Sequence, residues 1–250
     1  MKLFKRILVL SLVVMIVFAF AACGAANTSD TYTIGICQLL PHPALDAATD
    51  GFIEGLKAEL GEDKVIFLEE NAGNEVNVCT TIITNFINKK VDLILANATP
   101  SLTAAVNGTD MIPILGTAIT EYGTALGIDD FDGVVGGNIS GTSDLAPLDQ
   151  QAQMILDLFP EAKTVAMLYC MGEPNSKYQI EEVQKILEGK GLNCKQFDFA
   201  DTSVLMSVTQ AAASFADVIY VPTDNTVANN ATAIDSICRP AGIPIIAGEA

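Results

Sequence analysis

The chain has 250 residues, half of them hydrophobic, with 13 basic and 30 acidic residues and a formal net charge of −17. So acidic a chain argues against nucleic acid or an anionic lipid surface as partner, since both would repel it at long range. A single histidine, and six cysteines with no C-x-x-C spacing, give the common metal and redox motifs no support.

At the N-terminus, Lys2, Lys5 and Arg6 precede an apolar stretch over 7–20 that only Ser11 interrupts, and "FAACG" follows. The charge order and length are those of a secretory signal, too short for a comfortable membrane span. Ala21 and Ala22 before Cys23 resemble a bacterial lipobox, in which the cysteine is diacylated (palmitate-type chains) and becomes the first mature residue. Phe20 stands where the lipobox usually has Leu. The expectation is a lipoprotein signal peptide over 1–22, lipidation at Cys23 and a lipid-anchored tether over 23–31, with the protein on the extracytoplasmic face of the membrane. A plain secretion signal with a buried cysteine is the simpler alternative. Cleavage would remove three of the 13 basic residues and no acid, taking the charge from −17 to −20 and leaving Arg239 as the sole arginine. A bidentate guanidinium clamp for a ligand carboxylate would then be barely available.

From residue 32 onward strand and helix patterns alternate. "YTIGICQLL" (32–40) reads as a strand and "PALDAATDGFIEGLKAEL" (43–60) as a helix with Ala44, Ala48, Phe52, Leu56 and Leu60 on one side. "KVIFLEE" (64–70) is a strand, "NEVNVCTTIITNFINKK" (74–90) a helix, "VDLILANA" (91–98) a strand, "PSLTAAVNG" (100–108) a short helix and "IPILGTA" (112–118) a strand. "GVVGGNIS" (133–140) is expected to be the fifth strand.

After "GTSD" the cycle restarts. A helix over 146–160, a strand over 163–170 and a helix over 175–191 are followed by a strand over 193–199, a helix over 204–215 and a strand over 217–223. A single helix over 225–242 and a strand over 243–249 complete the pattern. Near-continuous apolar runs suit parallel strands covered on both faces. The reading is an α/β protein of two doubly wound parallel-sheet lobes, at 32–140 and 141–250. The chain stops at "IIAGEA", straight after a strand, so the second lobe is expected to be incomplete or the chain a fragment.

Two oily runs, "VDLILANATPS" and "ADVIYVPTDNT", end alike in Pro with Thr and Asn. In an open parallel sheet, ligands bind at the carboxyl ends of strands. There the sequence places "QLLPHPALD", "NATPS" and "GTAITEYG" in the first half, and "MGEPNSK", "PTDNT" and "GEA" in the second. These make two facing jaws of hydrogen-bonding groups. Thr99, Ser101, Asn175 and Asp224 could equally be plain helix caps, His42 a solvent-exposed loop residue, and Tyr122 and Phe131 packing residues. Cys37 and Cys170 read as buried hydrophobes. No nucleophile elbow, phosphate loop or dinucleotide fingerprint is found, and no cofactor or metal is expected. An enzyme is the weaker reading.

The stretches "YTIGICQLLPHPALDAATDGFIEGL", "VDLILANATPS", "IPILGTAIT", "GEPNS" and "DVIYVPTDNTVA" together resemble ABC-transporter substrate-binding lipoproteins of the tryptophan/tyrosine-binding type. That resemblance implies a two-lobed, periplasmic-binding-protein-like receptor that holds an α-amino acid between its lobes and docks on a membrane permease. By the same resemblance Asp224 would pair with the ligand ammonium beside Asn225, with Glu249 a second candidate. Asn175 and Ser176 would bind the carboxylate, and Gln38, His42, Thr99 and Thr117 would contact the ligand from the first lobe. Branched aliphatic amino acids stay open as ligands. The alternatives are a sensing module of the sugar-receptor kind, or an adhesin on the same scaffold.

Overall fold

The computed structural model describes residues 31–248. The first lobe contains β1 (Tyr32–Gln38), α1 (Pro43–Leu60), β2 (Val65–Asn71), α2 (Val76–Lys89) and β3 (Leu93–Asn97), then α3 (Thr99–Gly108), β4 (Ile114–Ile119), α4 (Tyr122–Leu126) and β5 (Ile139–Ser143). Its strands form one parallel sheet in the order β2-β1-β3-β4-β5. The second lobe contains α5 (Leu148–Leu158), β6 (Thr164–Cys170), α6 (Pro174–Gly189), β7 (Asn193–Phe199) and α7 (Leu205–Phe215), then β8 (Val218–Val221), α8 (Asn225–Asn229), α9 (Ala231–Ala241) and β9 (Ile245–Ala247). Its parallel sheet runs β7-β6-β8-β9. Each lobe therefore begins with the same winding, second strand, first, third, fourth. The repeat seen in the sequence is a repeat of topology.

Alternation along each strand explains why both faces are buried. In β6, Ala166, Leu168 and Cys170 pack against α7 and α9, while Val165, Met167 and Tyr169 pack against α5 and α6. In β1, Ile34 and Ile36 meet Phe52 and Leu56 of α1, and Cys37 faces the opposite cluster around Phe86 of α2. Gly35 makes that second contact possible, because a Cβ there would lie 2.6 Å from the Phe86 ring. The cysteines at 37, 79, 170, 194 and 238 are all free and buried, serving as small core side chains.

The fifth strand lies later than the pattern predicts. Gly133, Gly136 and Gly137 have φ of 93°, 77° and 63°, a left-handed backbone that cannot pair in a ladder, so β5 starts at Ile139. It continues in the first sheet through Ser143, past the expected 140/141 junction. The single helix expected over 225–242 is two, with the break at Asn230. The short helix α4 and two 3-10 turns, Glu62–Lys64 and Thr202–Val204, are too brief to show a hydrophobic period. The lobes meet where α6 touches α3 and α4. No helix among the described residues is long and apolar enough to cross a membrane.

Candidate functional site

The winding puts a topological switch point between β1 and β3 in one lobe and between β6 and β8 in the other, which is where open α/β sheets bind ligands. In the second lobe this point is organised by two acids. Asp224 caps α8: one carboxylate oxygen accepts from the Val227 N–H at 2.8 Å, and the other accepts from the Cys170 N–H at 2.7 Å. Its side chain thus ties the turn after β8 to the end of β6, and it is fully buried. Glu173 holds the N-cap position of α6 without capping its own helix. Its carboxylate reaches across to α8 instead. Oε1 accepts from the Thr226 N–H at 2.8 Å and the Thr226 hydroxyl at 2.7 Å, and Oε2 from the Asn225 N–H at 3.1 Å and its side-chain amide at 2.8 Å.

The same two turns are laced together at the Thr223 carbonyl, which accepts from Asn175 Nδ2 at 2.9 Å, Gln179 Nε2 at 3.3 Å and Ser176 Oγ at 3.4 Å. Gln179 Oε1 accepts in turn from the Thr223 N–H. Burial raises the pKa of Asp224 well above the usual carboxylate range, and the neighbouring Glu173 charge pushes the same way. Hydrogen bonds from Cys170, Val227 and Ser176 oppose the shift. The ion pairs among the described residues, Lys177–Glu181 and Arg239–Asp235, lie on exposed helix faces and touch neither acid. Two adjoining buried acids without a basic partner form a place where a cation gains energy.

On the first lobe, Gln38 is a strut. Its amide donates to the Leu40 carbonyl at 2.9 Å and to Asp46 at 2.6 Å, and its oxygen accepts from the Thr49 hydroxyl at 2.7 Å. Asn97, its register partner on β3, donates to Thr49 and to the Leu45 carbonyl. The His42 ring accepts from the Ala44 N–H at 3.3 Å and so caps α1. Thr117 is half-buried within β4, opposite Asn97, and its carbonyl accepts from the Ala98 N–H at 3.0 Å. Ala98, at φ 85°, fills the cap position of α3, which makes Thr99 the first helical residue rather than the cap. The Thr99 hydroxyl and the Asn175 side-chain oxygen are buried and have no partner. They lie in the first turns of α3 and α6, helices of opposite lobes that touch. Buried polar atoms are seldom left so, and a bound ligand is one thing that satisfies them.

Several cavities open between the lobes, one of about 740 Å³ where Tyr178 of α6 meets Tyr122, Phe131 and Val135 of the first lobe, and two beside the acids. One of about 390 Å³ is lined by Leu39, Asn74 and Pro100 from the first lobe and by Cys170, Glu173 and Thr226 from the second. The other, about 270 Å³, is mostly apolar, with His42 facing Val221, Val227, Ile234 and Ile245, and Asp224 in its wall. Asn175, Ser176, Asp224 and Asn225 are thus brought into one network, and His42 meets it across the crevice. Gln38, Thr99 and Thr117 stay on the first lobe's edge. Cys23 and Glu249 lie outside the described residues. Glu173, Thr226 and Asn74 escaped the sequence reading, although Glu173 stands within "GEPNS" at a cap position where Glu is an uncommon choice.

Paired α/β lobes whose strand ends close over a polar crevice define a two-lobed solute receptor. The chain matches the family model for ABC transporter substrate binding proteins over residues 33–250 and belongs to that family, whose members bind solutes rather than catalyse a reaction. It is 34% identical over 218 residues to a tyrosine-binding protein of Clostridioides difficile (strain R20291), covering 86% of this chain and 63% of that protein. The structure of an ABC domain in complex with L-Trp from Streptococcus pneumonia is 31% identical, with a TM-score of 0.80 over 87% of this chain and 74% of the other. The ligand-free, open structure of a substrate binding protein with adhesive properties from Clostridium difficile is 34% identical at the same coverage, with a TM-score of 0.58.

Proposed function

We propose that this protein is the extracytoplasmic receptor of an ABC importer, lipid-anchored through Cys23, that captures a free amino acid between its lobes and delivers it to a permease. The observation that carries the reading is the buried pair Asp224 and Glu173, two acids without a basic partner beside an interlobe crevice. The ammonium of an α-amino acid supplies the missing positive charge, and Asn175 Oδ1 offers it a further acceptor. The Thr99 hydroxyl and the backbone N–H groups of Thr99 and Ser101 at the start of α3 (Pro100 between them has none) receive the carboxylate, for which a guanidinium clamp is barely available with Arg239 the sole arginine after the expected signal. Ser176 steadies Asp224, Asn225 steadies Glu173, and Gln38 and Thr117 hold the first lobe's edge. Glu249 remains a second candidate for the ammonium.

The side chain then enters the apolar cavity beside His42. An aromatic side chain is favoured by the similarity to a tyrosine-binding protein and to a domain holding L-Trp. The closer match to the L-Trp complex than to the open, ligand-free structure, at nearly equal identity, favours a closed arrangement of lobes here. Because ligand contacts come from both lobes, binding shifts the population toward closure, and the closed form is what a permease recognises. Adhesion is a second reading, favoured by the similarity to a protein with adhesive properties.

Calorimetry on the full chain with L-tryptophan, L-tyrosine, L-leucine, N-acetyl-L-tryptophan and glucose tests the proposal. A free amino acid should bind, and N-acetylation should weaken binding by about 100-fold or more, as for loss of a buried charge pair. Equal affinity for the acetylated form, or binding of glucose alone, would refute it.

A further inference from the structure

The two lobes are joined side chain to side chain by Asn74, on the loop after β2, and Thr226, in α8. Asn74 Nδ2 lies 3.1 Å from the Thr226 hydroxyl and Asn74 Oδ1 lies 3.2 Å from it, across 152 residues of chain. The same hydroxyl lies 2.7 Å from Glu173 Oε1. A hydroxyl has one proton to give and lone pairs to receive with. The bond to a carboxylate is the stronger, so the proton goes to Glu173 and the oxygen accepts from Asn74 Nδ2.

We propose that Asn74 and Thr226 form a latch in which Thr226 is the positioning residue. Its hydroxyl orients the Glu173 carboxylate inside its own lobe and, through the same oxygen, takes hold of the other lobe. All three residues line the 390 Å³ cavity, and Thr226 is buried while Asn74 is half-buried. Opening the lobes must break the Asn74 bond, whereas the bonds of Glu173 to α8 can persist in either state. The latch therefore favours closure without ligand. Because an acceptor relieved of part of its negative charge draws less on the hydroxyl proton, a cation at Glu173 also changes what Asn74 is offered. That last coupling rests on the amino-acid reading. The latch itself does not.

Hydrogen exchange with mass spectrometry on the ligand-free full chain tests it, reading segment 72–77 in the first lobe and 225–230 in the second. Asn74→Ala and Thr226→Val should each raise exchange about three- to ten-fold in both segments, whichever lobe carries the change, as expected for loss of one hydrogen bond from the closed state. Thr226→Ser, which keeps the hydroxyl, should behave as wild type. Faster exchange confined to the lobe that carries the substitution would mean local loosening and would overturn the latch, as would no change. Failure of every amino acid to bind while the cross-lobe response survives would strike the proposed function and leave the latch standing.

Discussion

Asp224→Asn is the most informative single change, because it removes a charge from the centre of the second lobe and leaves the shape intact. The carboxylate accepts from the Val227 N–H at 2.8 Å and the Cys170 N–H at 2.7 Å. Asparagine can serve one of them with its oxygen and must point its own N–H at the other. One buried backbone donor is then orphaned, a loss of about 1–3 kcal/mol. Asp224→Ala would orphan both, the Val227 bond that caps α8 included, for about 2–6 kcal/mol in all. The pH dependence separates the charge from the hydrogen bonds. Burial and Glu173 hold the native Asp224 pKa above its unfolded value, so the native state carries the extra proton between the two values. Wild-type stability is therefore fully present below about pH 3.9 and falls as pH rises from there, by at most about 1.4 kcal/mol per pH unit for one proton. Asp224→Asn lacks that slope. Urea denaturation of both proteins from pH 4 to 8 should show the wild type ahead at the acid end, with the gap narrowing as pH rises. A gap that stays flat, or widens with pH, would mean the native carboxylate is comfortably ionised and would refute the uncompensated acid pair.

Thr99→Val removes a buried hydroxyl that no protein group partners, so stability should hold or rise, while amino-acid affinity falls about five- to ten-fold. Denaturation and calorimetry on one preparation check both halves, and unchanged affinity would remove Thr99 from the ligand site. Gly35→Ala places a methyl 2.6 Å from the Phe86 ring in a fully packed core, and should cost about 1–3 kcal/mol as a drop in Tm on a thermal-shift scan.

The lobed architecture was legible because it is written in apolar period. Strands buried on both faces leave near-continuous oily runs, as in residues 164–170 and 218–221, and parallel pairing follows from the helices between them. Where geometry overrode composition, the reading slipped. "GVVGGNIS" has a strand's hydrophobicity and a turn's backbone, and the glycine φ angles decided for the turn. The site was half legible for a related reason. Asn175 directly follows Pro174, and Asp224 comes two residues after Pro222, both shortly beyond a strand end, a local signal. Glu173 acts through residues about 50 positions away, and Asn74 through one 152 away, so neither role has a local signature. Gln38 shows the opposite failure. It lies at the right edge, but its amide is already used by Leu40, Asp46 and Thr49, a saturation that no pattern of letters reveals.

On the proposed reading, a division of labour between the lobes lets so acidic a chain recognise a zwitterion. The acids buried at the crevice, Asp224 and Glu173, both belong to the second lobe, whereas the first lobe's Glu75 is an exposed residue of the cavity rim. Among its buried and half-buried groups the first lobe offers neutral ones, namely the Thr99 hydroxyl, the His42 ring and the Asn74 amide. An ammonium alone could dock on the open second lobe and gain most of its energy there, with no reason to close. A carboxylate on the same ligand needs the donors at the start of α3, and reaching them brings the lobes together. Closure is then driven by the distance between the two charged ends of the ligand. A cation lacking the carboxylate should bind more weakly and leave exchange in segments 72–77 and 225–230 at the ligand-free level, whereas a full amino acid should slow both together.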